Sequence, residues 1–201
     1  MMKDAGNEVF GYVSTKRLIQ GEWSLLKLSD IKKSITAWSR SFDLTGILLD
    51  QVTDKYELRD NSVWGNHVQL YQFMFEFIKE TNPSLKIMIN PGNPFPIQFF
   101  LPSQCHHGKQ CTADSAVIFD DTADRWDPDA LANSLEDLRS IADGKRGFGA
   151  LIHSTSVDSL CQTVNQARQA GLEYLYVTDK TEANQYQGLP TYWQQLLDLV
   201  R

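Results

Sequence analysis

Short apolar segments alternate with amphipathic segments along most of this chain of 201 residues. The apolar segments are rich in β-branched and aromatic residues and are nearly continuous, which is typical of parallel strands covered on both faces. Strands that alternate with helical segments predict an α/β fold with a parallel sheet. The predicted strands span residues 9–14, 46–50, 86–90, 115–120, 147–153 and 173–179.

The segments between these strands repeat apolar residues at helical spacing. Ser29 is expected to cap the first helix, which places Ile31, Ile35 and Trp38 on one face. Gly171 is expected to end the fourth helix as its C-cap. The predicted helices span residues 30–42, 67–79, 129–142, 157–170 and 190–200.

An open doubly wound sheet and a (β/α) barrel both fit this alternation. No G-x-G-x-x-G phosphate loop follows any predicted strand, so nucleotide chemistry is disfavoured and no cofactor is expected. A full eight-stranded barrel typically needs about 250 residues. We therefore expect that residues 1–201, if they form a barrel, are a single barrel-like domain with about six of its eight strands.

The charge balance and hydropathy limit the partners of this chain. The net charge is −6 and the pI about 5.2, so an acidic surface disfavours nucleic acid as a partner. No apolar stretch approaches the roughly 18 residues of a membrane helix, so no membrane partner is expected. Residues 1–8 carry no apolar signal core, which favours a cytoplasmic location unless a leader precedes them.

Polar residues follow the predicted strands at their carboxyl ends, which is where parallel α/β folds place their sites. The carboxylates among them are the chemical candidates, because paired carboxylates across a cleft serve glycoside hydrolysis. Aromatic residues near the same ends, including Trp64, Phe95, Trp126 and Tyr186, are either core residues or platforms for sugar rings. The candidate carboxylates are Asp50, Asp120, Asp121 and Asp179.

The chain has three cysteines, which does not suggest a disulfide framework. Cys161 lies in an apolar-periodic segment and is expected to be buried. Cys105 and Cys111 bracket two histidines, but this spacing matches no common zinc module, so no metal site is assigned. A disulfide between Cys105 and Cys111 and two free thiols both stay open.

Several short motifs follow one another along the chain from residue 9 to residue 197. They are FGYVST at 10–15, Asp30-Ile31 with Trp38, DLTGILLDQ at 43–51, INPG at 89–92, VIFD at 117–120, IHST at 152–155, YLYVTD at 174–179 and LPTYW at 189–193. In order and spacing, these motifs resemble the spherulation-specific family 4, the spherulin-4-like proteins. The resemblance implies a (β/α) barrel related to glycoside hydrolases that cut galactosamine-containing microbial exopolysaccharides.

On this resemblance, a polysaccharide or oligosaccharide is the expected partner. Asp50 orients the substrate amine or serves as nucleophile or base, and Asp120 is the proton donor, assisted or replaced by Asp121. The residues expected to bind substrate are Tyr12, Thr15, Gln51, Asn90, His153, Tyr176 and Asp179.

Two positions depart from the family pattern. Members carry an Asp-Glu pair where this chain has Asp50 and Gln51, and an amide cannot ionise. Members also carry Glu where this chain has Asp120, whose side chain is one methylene shorter. A displacement of about 1 Å in a catalytic group can cost about a hundredfold in rate. A non-catalytic carbohydrate-binding or degenerate surface protein of the same fold is therefore the alternative.

The resemblance also implies a further β/α portion before the first predicted strand, often after a secretion signal. We therefore expect an N-terminal unit to be missing from the barrel, and a secreted or cell-surface location if a leader has been lost. A parallel edge left open in this way favours self-association.

Overall fold

The computed structural model describes residues 8–19, 21–52, 67–92, 99, 112–141, 147–181 and 183–200. The strands are β1 Phe10–Ser14, β2 Lys16–Ile19, β3 Glu22–Leu25, β4 Gly46–Asp50, β5 Lys86–Asn90, β6 Ser115–Thr122, β7 Gly147–His153 and β8 Tyr174–Val177. The helices are α1 Leu28–Ser41, α2 His67–Thr81, α3 Pro128–Ile141, α4 Val157–Gln169 and α5 Trp193–Val200, and one 3-10 turn spans Ala123–Arg125.

The predicted strands form one six-stranded sheet in the order β1-β4-β5-β6-β7-β8. The pairs β1/β4, β4/β5, β5/β6 and β7/β8 are parallel, with helices along the chain between most of the strands. This is the arrangement of a partial (β/α) barrel, and it confirms the predicted fold class. In the described part of the chain no helix is long and apolar enough to cross a membrane.

The chain divides into two compact units, one with residues 1–91 and 96–116 and one with residues 92–95 and 117–201. In the first unit, α1 packs against β1 and α2. Ile31 and Ile35 of α1 are fully buried, as are Ile47 and Leu49 of β4. In the second unit, α4 packs against α5 and β8 around a core of Leu160, Val164, Val177, Tyr192 and Leu196.

The start of α1 differs from the prediction. The helix begins at Leu28, and its N-cap is Lys27 with no side-chain hydrogen bond, so Ser29 lies inside the first turn. The carbonyl of Lys27 already accepts from the amides of Asp30 and Ile31, which closes the turn without a hydroxyl cap.

Cys161, which was predicted to be buried, and the aromatic side chain of Phe73 both face solvent. Cys161 is exposed, because the buried face of α4 is formed by Leu160, Thr163, Val164 and Ala167. Phe73 of α2 is 42% exposed, and the ammonium of Lys32 lies 4.7 Å from its ring centroid. That cation–π contact covers part of an aromatic ring face that is not buried in the core.

The antiparallel hairpin of β2 and β3 was not predicted. It lies between β1 and α1, and its strands pair Lys16 with Leu25 and Ile19 with Glu22. The turn contains Gly21 at φ +84°, a conformation that glycine adopts without steric cost. In the sequence, this hairpin consists of two four-residue segments separated by Gln-Gly. Segments this short are easily interpreted as part of a loop.

Gly171 lies at the end of α4, one position after the C-cap, which is Ala170 and not Gly171 as predicted. Its φ is +77°, its amide donates to the carbonyl of Arg168, and the amide of Leu172 donates to Ala167, which is a Schellman arrangement. The guanidinium of Arg139 also donates to the Gly171 carbonyl. A Cβ built at Gly171 would lie 2.7 Å from Nη2 of Arg139.

We expect Gly171→Ala to lower the free energy of unfolding by about 1–2 kcal/mol, because it combines backbone strain with displacement of the Arg139 side chain. Gly92→Ala is the matched control, since Gly92 has φ +75° and no atom within 4 Å of an added Cβ. Urea unfolding should give the smaller loss for Gly92→Ala. Equal losses would show that Arg139 moves aside without cost.

Candidate functional site

The first unit presents a polar face of its sheet at the carboxyl ends of β1, β4 and β5. The register pairs Ser14 with Asp50 and Asp50 with Asn90, so these three residues lie side by side. Side chains alternate along a strand, and Tyr12 therefore shares the face of Ser14. The residues between them, such as Val13 and Leu49, are buried on the opposite face.

Packing of α1 determines which face of β1 is covered by the helix and which face is left exposed. A Cβ at Gly11 would lie 2.9 Å from the ring of Trp38, so the absence of a side chain there lets the indole approach the strand. The Trp38 Nε1 group donates to the carbonyl of Tyr12 over 2.8 Å. The helix thus covers the Gly11 and Val13 side, and the Tyr12 ring, which is half exposed, lies on the other side.

Tyr12 and Asp50 form the first phenol–carboxylate pair of the structure. The Tyr12 hydroxyl donates to Oδ2 of Asp50 over 2.8 Å. Burial, followed by the hydrogen bond to Asp50 and the charge of Asp50, raises the pKa of Tyr12 from 10 to about 12. The phenol therefore stays protonated and holds one oxygen of the carboxylate in a fixed direction.

Gln51 follows β4 in a strained backbone conformation, with φ +58° in a region that non-glycine residues rarely adopt. Its Oε1 accepts from Ser14 Oγ over 2.7 Å, and its carbonyl accepts from Thr15 Oγ1 over 2.9 Å. Thr15 also donates through its amide and its hydroxyl to the carbonyl of Asp50. Because Thr15 is fully buried, its hydroxyl holds the backbone of residues 50 and 51 in place. Asn90 is also buried, and its carbonyl accepts from the amide of Val52.

The second unit contains a matching phenol–carboxylate pair. Asp120 lies within β6, which runs two residues further than predicted, and its Oδ1 accepts from the Tyr186 hydroxyl over 2.8 Å. Its neighbour Asp121 pairs with Arg125 over 3.0 Å and accepts from the amide of Thr122. The two adjacent carboxylates therefore have different partners: a phenol for Asp120, and a cation and the backbone for Asp121.

His153 ends β7 and is 6% exposed. Its Nδ1 lies 3.3 Å from the hydroxyl of Ser154, whose φ is +59°. Strained residues of this kind persist where the surrounding structure holds them, and they occur often at functional sites. Gln51 and Ser154 are the non-glycine residues with positive φ in the described part of the chain, and each follows a strand at its carboxyl end.

Tyr176 and Asp179 mainly serve the segment that follows β8. The Tyr176 hydroxyl donates to the carbonyl of Gly188 over 3.3 Å. Asp179 accepts from the amide of Thr191 over 3.1 Å and from its hydroxyl over 2.7 Å. The hydroxyl bond is the main cause that lowers the pKa of Asp179 below its ordinary value. Asp179 therefore joins two ends of one segment, a role that its place after a strand does not reveal.

Other predicted features fall outside the described residues, namely Cys105, Cys111, Trp64 and Phe95. Among the residues that the structure does describe, no cluster of three or more metal-ligating side chains is present.

We expect Asp50→Asn to lower the pKa of Tyr12, because the substitution removes the negative charge and weakens the acceptor. Burial, the largest cause, remains, so the value should stay above 10. Because burial and Asp50 both disfavour the ionised phenol, the stability linked to protonated Tyr12 is fully present below pH 10 and is lost as the pH rises towards about 12. Carbon-13 NMR of labelled tyrosines, with Tyr12→Phe to assign the signal, measures the change. An unchanged midpoint would contradict the electrostatic coupling.

Three solved structures show the same fold at low sequence identity. Sph3 from Aspergillus clavatus, solved in complex with GalNAc, matches with a TM-score of 0.66 and 21% identity over 96% of this chain and 71% of the Sph3 chain. A glucosidase from Croceicoccus marinus matches with a TM-score of 0.56 and 11% identity over 92% of this chain and 45% of its own. A psychrophilic family 10 endo-β-1,4-xylanase matches with a TM-score of 0.51 and 11% identity, covering 88% and 68%.

These likenesses confirm the predicted fold class and no more. No curated protein matches the chain. The model of spherulation-specific family 4, Spherulin4, matches residues 1–200, which is nearly the whole sequence. This protein therefore belongs to spherulation-specific family 4, as its motifs predicted.

Proposed function

We propose that this protein is a carbohydrate-active protein, and more closely a glycoside-hydrolase-like protein that acts on an amino-sugar, galactosamine-containing polysaccharide. Membership of the family supports the general class. The complex of Sph3 with GalNAc, a protein of the same fold, supports an amino sugar as the ligand. The observation that carries the proposal is that Asp50 and Asp120 each accept a hydrogen bond from a phenol at 2.8 Å.

Asp50 is proposed as the nucleophile or base, or as the group that orients the substrate amine. The Tyr12 hydroxyl occupies Oδ2 and stabilises the ionised carboxylate. An ionised carboxylate next to an exposed aromatic face can bind an ammonium group through charge and cation–π attraction. A deacetylated amino sugar carries such an ammonium group.

Asp120 is proposed as the proton donor to the leaving oxygen. The contacts favour Asp120 over Asp121, because Asp121 is held in an ion pair with Arg125 that stabilises its charged form. A general acid must carry a proton, and a carboxyl group beside a guanidinium is poorly suited to keep one.

Three further predicted residues are proposed to contact the ligand, namely Tyr12 and Asn90 in the first unit and His153 in the second. Tyr12 offers an exposed ring to the substrate, and His153 and Asn90 offer polar groups at the ends of buried strands. Thr15 acts more indirectly, since its hydroxyl is bonded to the backbone of residues 50 and 51.

The second candidate function is a non-catalytic carbohydrate-binding or degenerate surface protein. Gln51 favours it, because an amide at the family's glutamate position cannot donate or accept a proton in catalysis. The amide is also engaged within the protein, since Oε1 accepts from Ser14.

We expect Asp50→Asn and Asp120→Asn each to reduce hydrolysis of a galactosaminoglycan at least about a hundredfold, because each removes a proton-transfer or nucleophilic group. Asp124→Asn is the matched control, since Asp124 is an exposed carboxylate only four residues from Asp120. Reducing-end release measures turnover, and binding of galactosamine oligosaccharides is measured in parallel. Full activity in both variants would refute the catalytic assignment.

Gln51→Glu separates the two candidate functions. Glutamate has the shape of glutamine and can keep the hydrogen bond from Ser14, so the local structure should be retained. We expect the natural protein to hydrolyse the polymer and the variant to be at least as active. Hydrolysis found only in Gln51→Glu would identify the natural protein as a lapsed enzyme that still binds sugar. The anomer released would then show whether the mechanism retains or inverts.

A further inference from the structure

A segment between β8 and α5 reaches back to β6 through one aromatic side chain. Tyr186 lies 66 positions after Asp120 in the chain and donates its hydroxyl to Oδ1 of that carboxylate over 2.8 Å. The Tyr186 side chain is 55% exposed, so this hydrogen bond is not the by-product of a ring buried in the core.

The segment that carries Tyr186 is anchored on both sides of it. Asp179 accepts two hydrogen bonds from Thr191, at 2.7 and 3.1 Å, and so joins the beginning of the segment to its end. The carbonyl of Lys180 accepts from the amide of Ser154 over 2.8 Å. The Tyr176 hydroxyl reaches the carbonyl of Gly188, two residues after Tyr186. A segment held at these points offers the phenol from a restricted position.

A phenol that donates to one oxygen of a carboxyl group restrains the rotation of that group. The neighbouring Asp121 forms an ion pair with Arg125 and accepts a hydrogen bond from the amide of Thr122. The 2.8 Å hydrogen bond from Tyr186 is made to Asp120.

We propose that Tyr186 is a positioning residue that orients the Asp120 carboxyl group for the ligand, with Asp179 and Thr191 as the clamp that holds it there. This inference rests on the proposed function, since it assigns Tyr186 a part in the site around Asp120. It gives Tyr186 a role other than stacking on a sugar ring, and it gives Asp179 a role at a distance from the substrate.

The test compares Tyr186→Phe, which removes only the hydroxyl, with Thr191→Val, which loosens the clamp but leaves the hydroxyl in place. We expect Tyr186→Phe to lower kcat about tenfold with KM within about twofold, because the ring remains and only the orientation of Asp120 is lost. Thr191→Val should have a smaller effect on kcat. A raised KM with unchanged kcat in Tyr186→Phe would overturn the proposal in favour of simple stacking.

A double-mutant cycle checks the pair without relying on turnover. Tyr186→Phe, Asp120→Ala and the double variant are compared in urea unfolding, and we expect a coupling of at least about twofold in the unfolding equilibrium constant. Additive effects would overturn the positioning role even if the enzyme is active. A natural protein that neither hydrolyses the polymer nor binds galactosamine oligosaccharides would overturn the proposed function, and the positioning role with it, whatever the cycle shows.

Discussion

The parallel register of β1, β4 and β5 is the constraint on which the pairing of Tyr12 with Asp50 depends. It aligns Ser14, Asp50 and Asn90 in one row, and alternation then places Tyr12 within reach of Asp50. A slip of one residue would turn Asp50 towards the helices and Leu49 towards the polar face. The buried apolar residues of these strands prevent that slip, because their exposure would cost far more than the polar contacts gain. The apolar core thus determines the chemistry indirectly.

In the second unit, the tyrosine that contacts a carboxylate is positioned by something other than strand register. There the partner of the carboxylate comes from a segment with no regular structure, and hydrogen bonds among Asp179, Thr191, Tyr176 and Gly188 take the place of a strand register. The buried core beneath that segment includes Tyr192, whose hydroxyl donates to the carbonyl of Thr155 and whose pKa is raised by burial. Two tyrosine hydroxyls thus hold the C-terminal end of this segment, through Gly188 and through Tyr192 itself.

The sequence was sufficient to predict the fold, since apolar runs and helical spacing are local signals that the tertiary structure obeys. All six strands of the sheet and the helices lie within a few residues of their predicted bounds. The predictions failed where a decision depended on neighbours distant in the chain. Whether Cys161 or its neighbour Leu160 is buried depends on which way α4 faces its sheet. Ser29 is not the N-cap because α1 begins two residues earlier than predicted, at Leu28. The pairing of Tyr186 with Asp120 spans 66 positions and leaves no periodic trace. Tyrosine and aspartate could be named as candidates from the sequence, but their pairing could not.

The positive φ angles of Gln51 and Ser154 have a consequence for the evolution of this protein. Each costs about 1–3 kcal/mol of folding free energy relative to a relaxed backbone. Glycine at either position would release that strain, so selection for heat resistance alone would tend to recruit such changes. The same changes would remove the side chains that contact Ser14 and His153. A lineage in which these two turns had no function would therefore be expected to drift towards glycine at both positions, whereas a lineage that needs the two side chains would retain them.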